Sequence, residues 1–252
     1  MNSPLSYVGG KSKLTQKIIS AFPTHTCYWE VFSGAALGFF KQVPSEVEIL
    51  NDRDEAIVNL FRVVRNHYEE FLRQFRYLIV SRKIFEIMKR QDPFTLTDIQ
   101  RAVKHFYILR SSFASRLINP SFGYGTTHKP NLSILDLEEK LLEMHWRLAN
   151  VYIENLDYKD CIKRYDRPHT SFYLDPPYYG TKDYNYNLNE EDYVKLAEIL
   201  SHIEGKFILS LGDHPEVRKI YKPFKMESVT TTYSKGKKGR DTQRAELLIR
   251  NF

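Results

Sequence analysis

The chain has 252 residues with a formal net charge of +6 and 42% hydrophobic residues, which allows one or two domains with a sizeable core and favours polyanionic partners. The amino terminus lacks a signal-peptide pattern, and no run approaches the roughly 20 apolar residues that cross a bilayer, so we expect a cytoplasmic protein with no membrane association. Two cysteines, Cys27 and Cys161, exclude a disulfide framework, and the eight histidines lack paired ligand spacing, so we expect no metal.

A glycine turn stands near the start of the chain, where Gly9, Gly10, Lys11 and Ser12 follow Tyr7 and a valine. A phosphate-binding P-loop would need a further glycine five positions before Gly10, and a leucine stands there, so we reject a nucleoside-triphosphatase. The turn is suited to present the ring of Tyr7 and the cation of Lys11 to a small molecule that carries a carboxylate. A solvated helix start is the alternative.

Two strand-to-turn units come next. Residues 28–32 are typical of a buried strand, and the small residues 33–36 predict a tight turn into a helix. Residues 47–50 predict a second strand, which Asp52 closely follows. An acid at the tip of the second strand can bind ribose hydroxyls, although most such acids only cap helices. The spacing from the turn to Asp52 favours a nucleoside-binding α/β unit.

The middle of the chain predicts a helical insertion that contacts phosphates. Apolar residues recur with helical periodicity from 54 to 110, and residues 111–133 form a polar segment that is long for a loop without a function. No acidic residue lies between Asp98 and Asp136, whereas five lysines and arginines do. Such a stretch is typical of a surface for phosphates.

The last part of the chain returns to strands that alternate with helices, which indicates an α/β sheet. The predicted strands are residues 151–156, 171–174 and 207–211. A basic stretch at 235–240 is either a solvated hairpin tip or a DNA contact. An aromatic segment that includes Tyr184 is either an ordinary loop or a mobile lid that orders with substrate.

The tetrapeptide Asp175, Pro176, Pro177, Tyr178 follows the apolar residues 172–174 directly. An ionised Asp175 only accepts hydrogen bonds, and the prolines lack N–H groups, so a main-chain carbonyl beside them can accept the second hydrogen of an amino group. Tyr178 can stack on a base, which contributes roughly 1–3 kcal/mol. The pattern therefore predicts an enzyme that acts on a nucleobase, and a surface turn with an incidental acid is the alternative.

Six short motifs stand in a defined order along the chain. They are Tyr-Val-Gly-Gly-Lys at 7–11, Glu-Val-Phe-Ser-Gly at 30–34, Leu-Asn-Asp at 50–52, Asn-Leu-Asp-Tyr at 155–158, Asp-Pro-Pro-Tyr at 175–178 and Glu-Leu-Leu-Ile-Arg-Asn at 246–251. In this order they resemble the Dam-type family of S-adenosylmethionine-dependent DNA adenine-N6 methyltransferases, and the resemblance covers nearly the whole chain.

The resemblance implies an α/β fold: a Rossmann-like methyltransferase sheet with helices on both faces, formed by residues 1–54 and 149–252. The mainly helical insertion at 55–148, with its loop or hairpin, would be the DNA-recognition domain. The expected cofactor is S-adenosylmethionine, with S-adenosylhomocysteine as product and no metal. The expected partner is double-stranded DNA, in a bacterium or a phage-infected cell. We expect a monomer in solution, and dimerisation on DNA remains an alternative.

The resemblance also assigns residues to three groups. The catalytic group, which holds the target base, is Asp175, Pro176, Pro177 and Tyr178. The expected cofactor contacts are Tyr7, Gly10, Lys11, Glu30, Phe32, Ser33, Gly34, Asp52, Asp157 and Tyr158. Among these, Asp52 would hold the ribose, and Asp157 and Tyr158 would meet the cofactor adenine. The expected DNA contacts are Arg110, Ser112, Phe113, Arg116, Asn119, Lys129, Tyr184 and Lys237.

The chain departs from the family pattern at three places. Ala36 replaces a frequent second glycine, Ser6 replaces a basic residue, and residues 114–115 replace an Asn-Gly pair. The target sequence of the relatives therefore does not transfer. Arg116 is suited to bind guanine or a phosphate, and Asn119 is suited to pair with adenine.

The expected reaction is site-specific methylation of the N6 amino group of a flipped adenine in double-stranded DNA. Cytosine-N4 transfer stays open, because it uses a related tetrapeptide that more often has serine in place of aspartate. A non-catalytic DNA-binding module would explain the charge but not the cofactor-like acids. RNA is disfavoured as substrate, because a groove-reading insertion suits duplex DNA.

Overall fold

The computed structural model describes residues 5, 12–116, 118–127, 129–130, 132–182, 184–233 and 242–252. The described strands form one seven-stranded sheet with the order β3-β2-β1-β4-β5-β7-β6. Strands β1 to β5 are parallel, and β7 lies antiparallel between β5 and β6. The strand bounds are β1 Cys27–Glu30, β2 Val47–Asn51, β3 Tyr152–Glu154, β4 Thr170–Leu174, β5 Lys206–Gly212, β6 Lys225–Tyr233 and β7 Thr242–Arg250.

Ten α-helices and two 3-10 turns, at Pro93–Thr95 and Phe113–Ser115, connect these strands in the described part of the chain. The helix bounds are α1 Ser12–Ala21, α2 Leu37–Lys41, α3 Glu55–Asn66, α4 Tyr68–Phe75, α5 Arg82–Arg90, α6 Asp98–Ser111, α7 Ile134–Leu148, α8 Tyr158–Tyr165, α9 Glu190–His202 and α10 Pro215–Ile220. No helix in these ranges is both long and apolar enough to cross a membrane.

Helices cover both faces of the sheet. Because successive side chains of a strand point to opposite faces, each strand contributes to two cores. On one face, Tyr28 of β1 and Tyr173 of β4 share a core with helices α1 to α7. On the other face, Trp29 and Phe172, the next residue of β1 and the preceding residue of β4, form a core with α8, α9 and α10. The predicted α/β fold with a two-sided sheet is confirmed.

The predicted insertion at 55–148 contributes five helices, α3 to α7. Their buried residues, such as Phe71, Phe106 and Leu141, belong to the same core as the sheet residues Tyr28 and Tyr173. The helices are thus packed on one face of the sheet, and the division into two domains stays a prediction. Among the described residues of the polar segment, the hairpin-like feature is one antiparallel bridge between residues 112 and 122.

Candidate active site

A cavity of about 350 Å³ opens at the carboxyl ends of β1, β2 and β4. The strand order places β1 beside β4, while the chain leaves β1 toward β2 and leaves β4 toward β5, so the cavity lies at the switch point of the sheet. Such a crevice is where open α/β sheets bind ligands. The predicted site residues that line it are Glu30, Phe32, Ser33, Gly34, Asp52, Asp157, Tyr158, Asp175, Pro177 and Tyr184.

The turn after β1 brings main-chain atoms to the cavity wall. Gly34 and Ala36 both have left-handed backbone conformations, with φ of 46° and 49°. The alanine that replaces the frequent glycine therefore adopts the conformation that glycine favours. The Ser33 hydroxyl is buried and has no hydrogen-bond partner within the described residues, although it belongs to a residue of the cavity wall. Because buried polar atoms are normally paired, this hydroxyl fits a polar ligand in the cavity.

Asp52 joins this turn to the end of β2. Its Oδ2 accepts a hydrogen bond from the Gly34 N–H at 2.8 Å, and its Oδ1 accepts one from the Asp54 N–H at 2.9 Å. Burial raises the pKa of Asp52 to about 6, and the two main-chain donors oppose this shift. The group is therefore ionised at neutral pH, and an ionised carboxylate is a strong acceptor for hydroxyl groups of a ligand.

Two aromatic rings and a short loop line the remaining wall of the cavity. The rings of Phe32 and Tyr158 lie 5.8 Å apart between centroids at 33°, and the Asp157 side chain caps the helix that begins at Tyr158. Residues 184–188 also line the cavity. In this loop, Asn185 Nδ2 donates to Asp54 Oδ2 at 2.9 Å. Tyr184, predicted from the sequence to contact DNA, is thus part of the cavity wall.

The tetrapeptide directly after β4 is held by residues of three other elements. The Ser210 hydroxyl of β5 donates to Asp175 Oδ1 at 3.3 Å and lies 3.1 Å from the Tyr173 hydroxyl. The Tyr193 hydroxyl of α9 donates to the Pro177 carbonyl at 2.5 Å. The Tyr178 hydroxyl donates to Glu246 Oε1 of β7 at 2.6 Å. The sequence does not predict these contacts: Ser210 and Tyr193 stand within ordinary buried strand and helix patterns, and Glu246 belongs to a family motif that gives no indication of its partner.

The sequence matches a family model described as D12 class N6 adenine-specific DNA methyltransferase, over residues 7–235. The chain belongs to this family. It is therefore an adenine-N6 DNA methyltransferase, and membership implies S-adenosylmethionine as methyl donor and DNA as substrate. The predicted family and activity are confirmed, whereas the cytosine-N4 and non-catalytic alternatives are not supported.

Similarity to individual proteins and solved structures is weaker. The sequence significantly matches none of the curated proteins. Similar solved structures include precorrin-6y C5,15-methyltransferase from Geobacter metallireducens GS-15, with 8% identity, a TM-score of 0.44 and coverage of 96% of this chain and 88% of that chain. Another is SMU.776 complexed with SAH, with 11% identity, a TM-score of 0.39 and coverage of 94% of this chain and 48% of that chain.

The methyltransferase also has a buried acid beneath the cavity, Glu30, which is 1% exposed. Its Oε1 accepts hydrogen bonds from the Tyr28 hydroxyl at 2.9 Å and from the Phe39 N–H at 2.5 Å. Burial raises the pKa of Glu30 to about 8, because desolvation outweighs these donors and Asp175 lies nearby. Glu30 is therefore mostly protonated at neutral pH.

We expect this protonation to appear in the pH dependence of stability when the wild type is compared with Glu30→Gln. Between about pH 6 and pH 8 the folded wild type retains a proton that the unfolded chain has released, so its free energy of unfolding should fall with rising pH by about 1 kcal/mol per pH unit relative to the variant. Above the folded pKa of about 8 the difference should level off. Urea unfolding of both proteins across this pH range measures the effect, and parallel curves would contradict it.

Six of the eight predicted DNA contacts lie in and around the polar segment of the insertion. Phe113, Arg116, Asn119 and Lys129 are exposed. Ser112 is buried, and its hydroxyl donates to the Ile108 carbonyl at 2.6 Å, so it supports the segment from inside. Four predicted site residues lie outside the described ranges: Tyr7, Gly10, Lys11 and Lys237. Arg110 is half-buried, and burial lowers the pKa of its guanidinium from the usual value.

Proposed function

We propose that the enzyme transfers a methyl group from S-adenosylmethionine to the N6 amino group of an adenine flipped out of double-stranded DNA at a specific sequence. The observation that supports this most is that Asp52 and Asp175 line one cavity. We assign the ribose of the cofactor to Asp52 and the target base to Asp175. Donor and acceptor molecules can meet between them in a fixed geometry.

The cofactor part of the cavity lies between the turn after β1 and the start of α8. Asp52 accepts the ribose hydroxyls, the Ser33 hydroxyl takes a polar group of the methionine part, and the rings of Phe32 and Tyr158 contact the cofactor adenine. S-adenosylmethionine supplies an electrophilic methyl group on a sulfonium and leaves as S-adenosylhomocysteine. The loop at 184–188 covers the site and limits access of water to it.

Asp175 and Pro177 of the tetrapeptide line the base part of the cavity, and Pro176 and Tyr178 are their neighbours in the chain. Asp175 accepts one hydrogen of the target amino group, and the Pro176 carbonyl, which no donor among the described residues reaches, accepts the other. These contacts favour a tetrahedral amino nitrogen over the flat ground state and thus lower the barrier for attack on the methyl group. Tyr178 stacks on the ring and offsets part of the cost of removing the base from the duplex.

The exposed segment around Arg116 is the proposed surface for sequence recognition. Arg116 and Lys129 supply cations, which bind phosphates, and Asn119 supplies an amide, which binds base edges. Phe113 adds an exposed ring for apolar contacts. Lys89 Nζ donates to the Pro120 carbonyl at 2.9 Å, so the segment is also tied to α5. This tie holds the recognition surface in a defined position beside the helices.

The test is methylation of plasmid DNA by the purified enzyme with isotope-labelled S-adenosylmethionine. Nucleoside mass spectrometry should detect N6-methyladenine, and single-molecule sequencing should place it at one short sequence. Duplex oligonucleotides with that sequence should be better substrates than the corresponding single strands. Label in N4-methylcytosine, or methylated adenines in unrelated contexts, would contradict the proposal.

A further inference from the structure

Tyr178 is held through both its side chain and its main chain. Its hydroxyl donates to Glu246 Oε1 at 2.6 Å. Its main-chain carbonyl accepts hydrogen bonds from the Thr181 N–H at 3.0 Å and the Thr181 hydroxyl at 2.8 Å. One edge of the ring lies against Gly212 of β5, where a Cβ atom would stand 3.4 Å from Cδ2. The hydrogen bond of the hydroxyl and the contact with Gly212 therefore leave the ring little freedom to turn.

Glu246 lies on β7 directly opposite Gly212 and is 0% exposed. The three residues that follow it, 247–249, are apolar and buried as expected for a strand inside a sheet. A buried carboxylate is costly unless hydrogen bonds compensate for its lost hydration. An apolar residue at this position would stabilise the sheet more than a glutamate. The presence of Glu246 therefore indicates a role other than stabilising the fold.

We propose that Glu246 is a positioning residue that fixes and polarises the Tyr178 ring against the target adenine, an inference that rests on the proposed function. A hydroxyl that donates to a carboxylate forms a short and strong hydrogen bond, which holds the ring in one orientation. The same bond raises the electron density of the ring. Positive charge develops on the adenine as its nitrogen attacks the methyl group, and an electron-rich ring face attracts positive charge. Glu246 should therefore act mainly on kcat.

A double-mutant cycle tests this pairing on the full-length enzyme. Glu246→Gln keeps the shape and removes the charge, and Tyr178→Phe keeps the ring and removes the hydroxyl. We expect each variant to lower kcat about tenfold, the usual effect of losing a hydrogen bond to a charged group, with little change in the KM for S-adenosylmethionine. The double variant should be no slower than the single ones. Glu227→Gln is the matched control, because Glu227 is a half-exposed glutamate on the neighbouring β6 that pairs with Lys17 and does not line the cavity.

A second readout follows the target base itself. 2-Aminopurine at the mapped target position should be quenched when it stacks on Tyr178, so its emission should rise in Glu246→Gln and rise most in Tyr178→Ala. Additive losses in the cycle, or wild-type kcat and emission in Glu246→Gln, would overturn the role of Glu246. Label in N4-methylcytosine, with none in N6-methyladenine, would instead overturn the proposed function, so the two failures are distinguishable.

Discussion

Replacing Asp175 with alanine should lower the methylation rate by about a thousandfold and leave the affinity for S-adenosylmethionine nearly unchanged. The carboxylate directly follows β4 and accepts a hydrogen bond from Ser210, which directs it toward the cavity. In the proposed reaction it acts on the target amino group as charge develops there, and removing one such group costs about 10²–10³ in kcat. Cofactor affinity should persist because Asp52 and the turn after β1 are untouched.

Single-turnover methylation of the mapped duplex measures the rate, and calorimetric titration with S-adenosylmethionine measures the affinity. Asp160→Ala is the matched control, because Asp160 is exposed on α8 and does not line the cavity. A loss of cofactor binding equal to the loss of rate would place Asp175 in the cofactor part of the cavity. Wild-type turnover in Asp175→Ala would remove it from the reaction altogether.

Replacing Asp52 with alanine should have the opposite profile, with cofactor affinity lowered by about a hundredfold and kcat at saturating cofactor within a few-fold of wild type. The carboxylate holds the turns at Gly34 and Asp54 and is proposed to accept the ribose hydroxyls. Losing hydrogen bonds to a charged group costs about 1.5–3 kcal/mol each, which accounts for the expected change.

The pH dependence of binding gives a second signature of Asp52. Because burial raises its pKa to about 6, wild-type affinity for the cofactor should fall as the pH falls through this value, where the carboxyl gains a proton and loses acceptor capacity. Calorimetry near pH 7.5 and near pH 5.5 checks this. Asp52→Ala should show no such fall, and Glu55→Ala, an exposed neighbour outside the cavity, should behave as wild type. A fall of equal size in Asp52→Ala would assign the titration to another group.

The cofactor part of the site was largely predictable from the sequence. A tight turn after a buried strand and an acid after the next strand are local patterns, and parallel strands align their carboxyl ends at one edge of the sheet. Gly34 and Asp52 were predicted on this basis, and the structure joins them through a 2.8 Å hydrogen bond. Their roles toward the cofactor stay proposals.

The supports of the tetrapeptide were not predictable in this way. Ser210 stands in a run of buried apolar residues and resembles any strand serine. Glu246 begins the last of the six family motifs, but nothing in that motif indicates that it contacts Tyr178. They reach Asp175 and Tyr178 only because β5 lies between β4 and β7 in the sheet. Tyr184 shows the same limit, since an aromatic loop residue gives no indication of whether it lies against DNA or on a cavity wall.

The sequence by itself determined the alternation of strands and helices, the family and the acids that follow the strands, because these depend on periodicity and on residues adjacent in the chain. Only the tertiary structure decided that Asp52 and Asp175 share one cavity, that Glu30 is mostly protonated at neutral pH, and that Tyr178 is bonded to Glu246. The physical reason is that burial, proximity of charges and contacts between strands far apart in sequence arise from the order of the strands in the sheet.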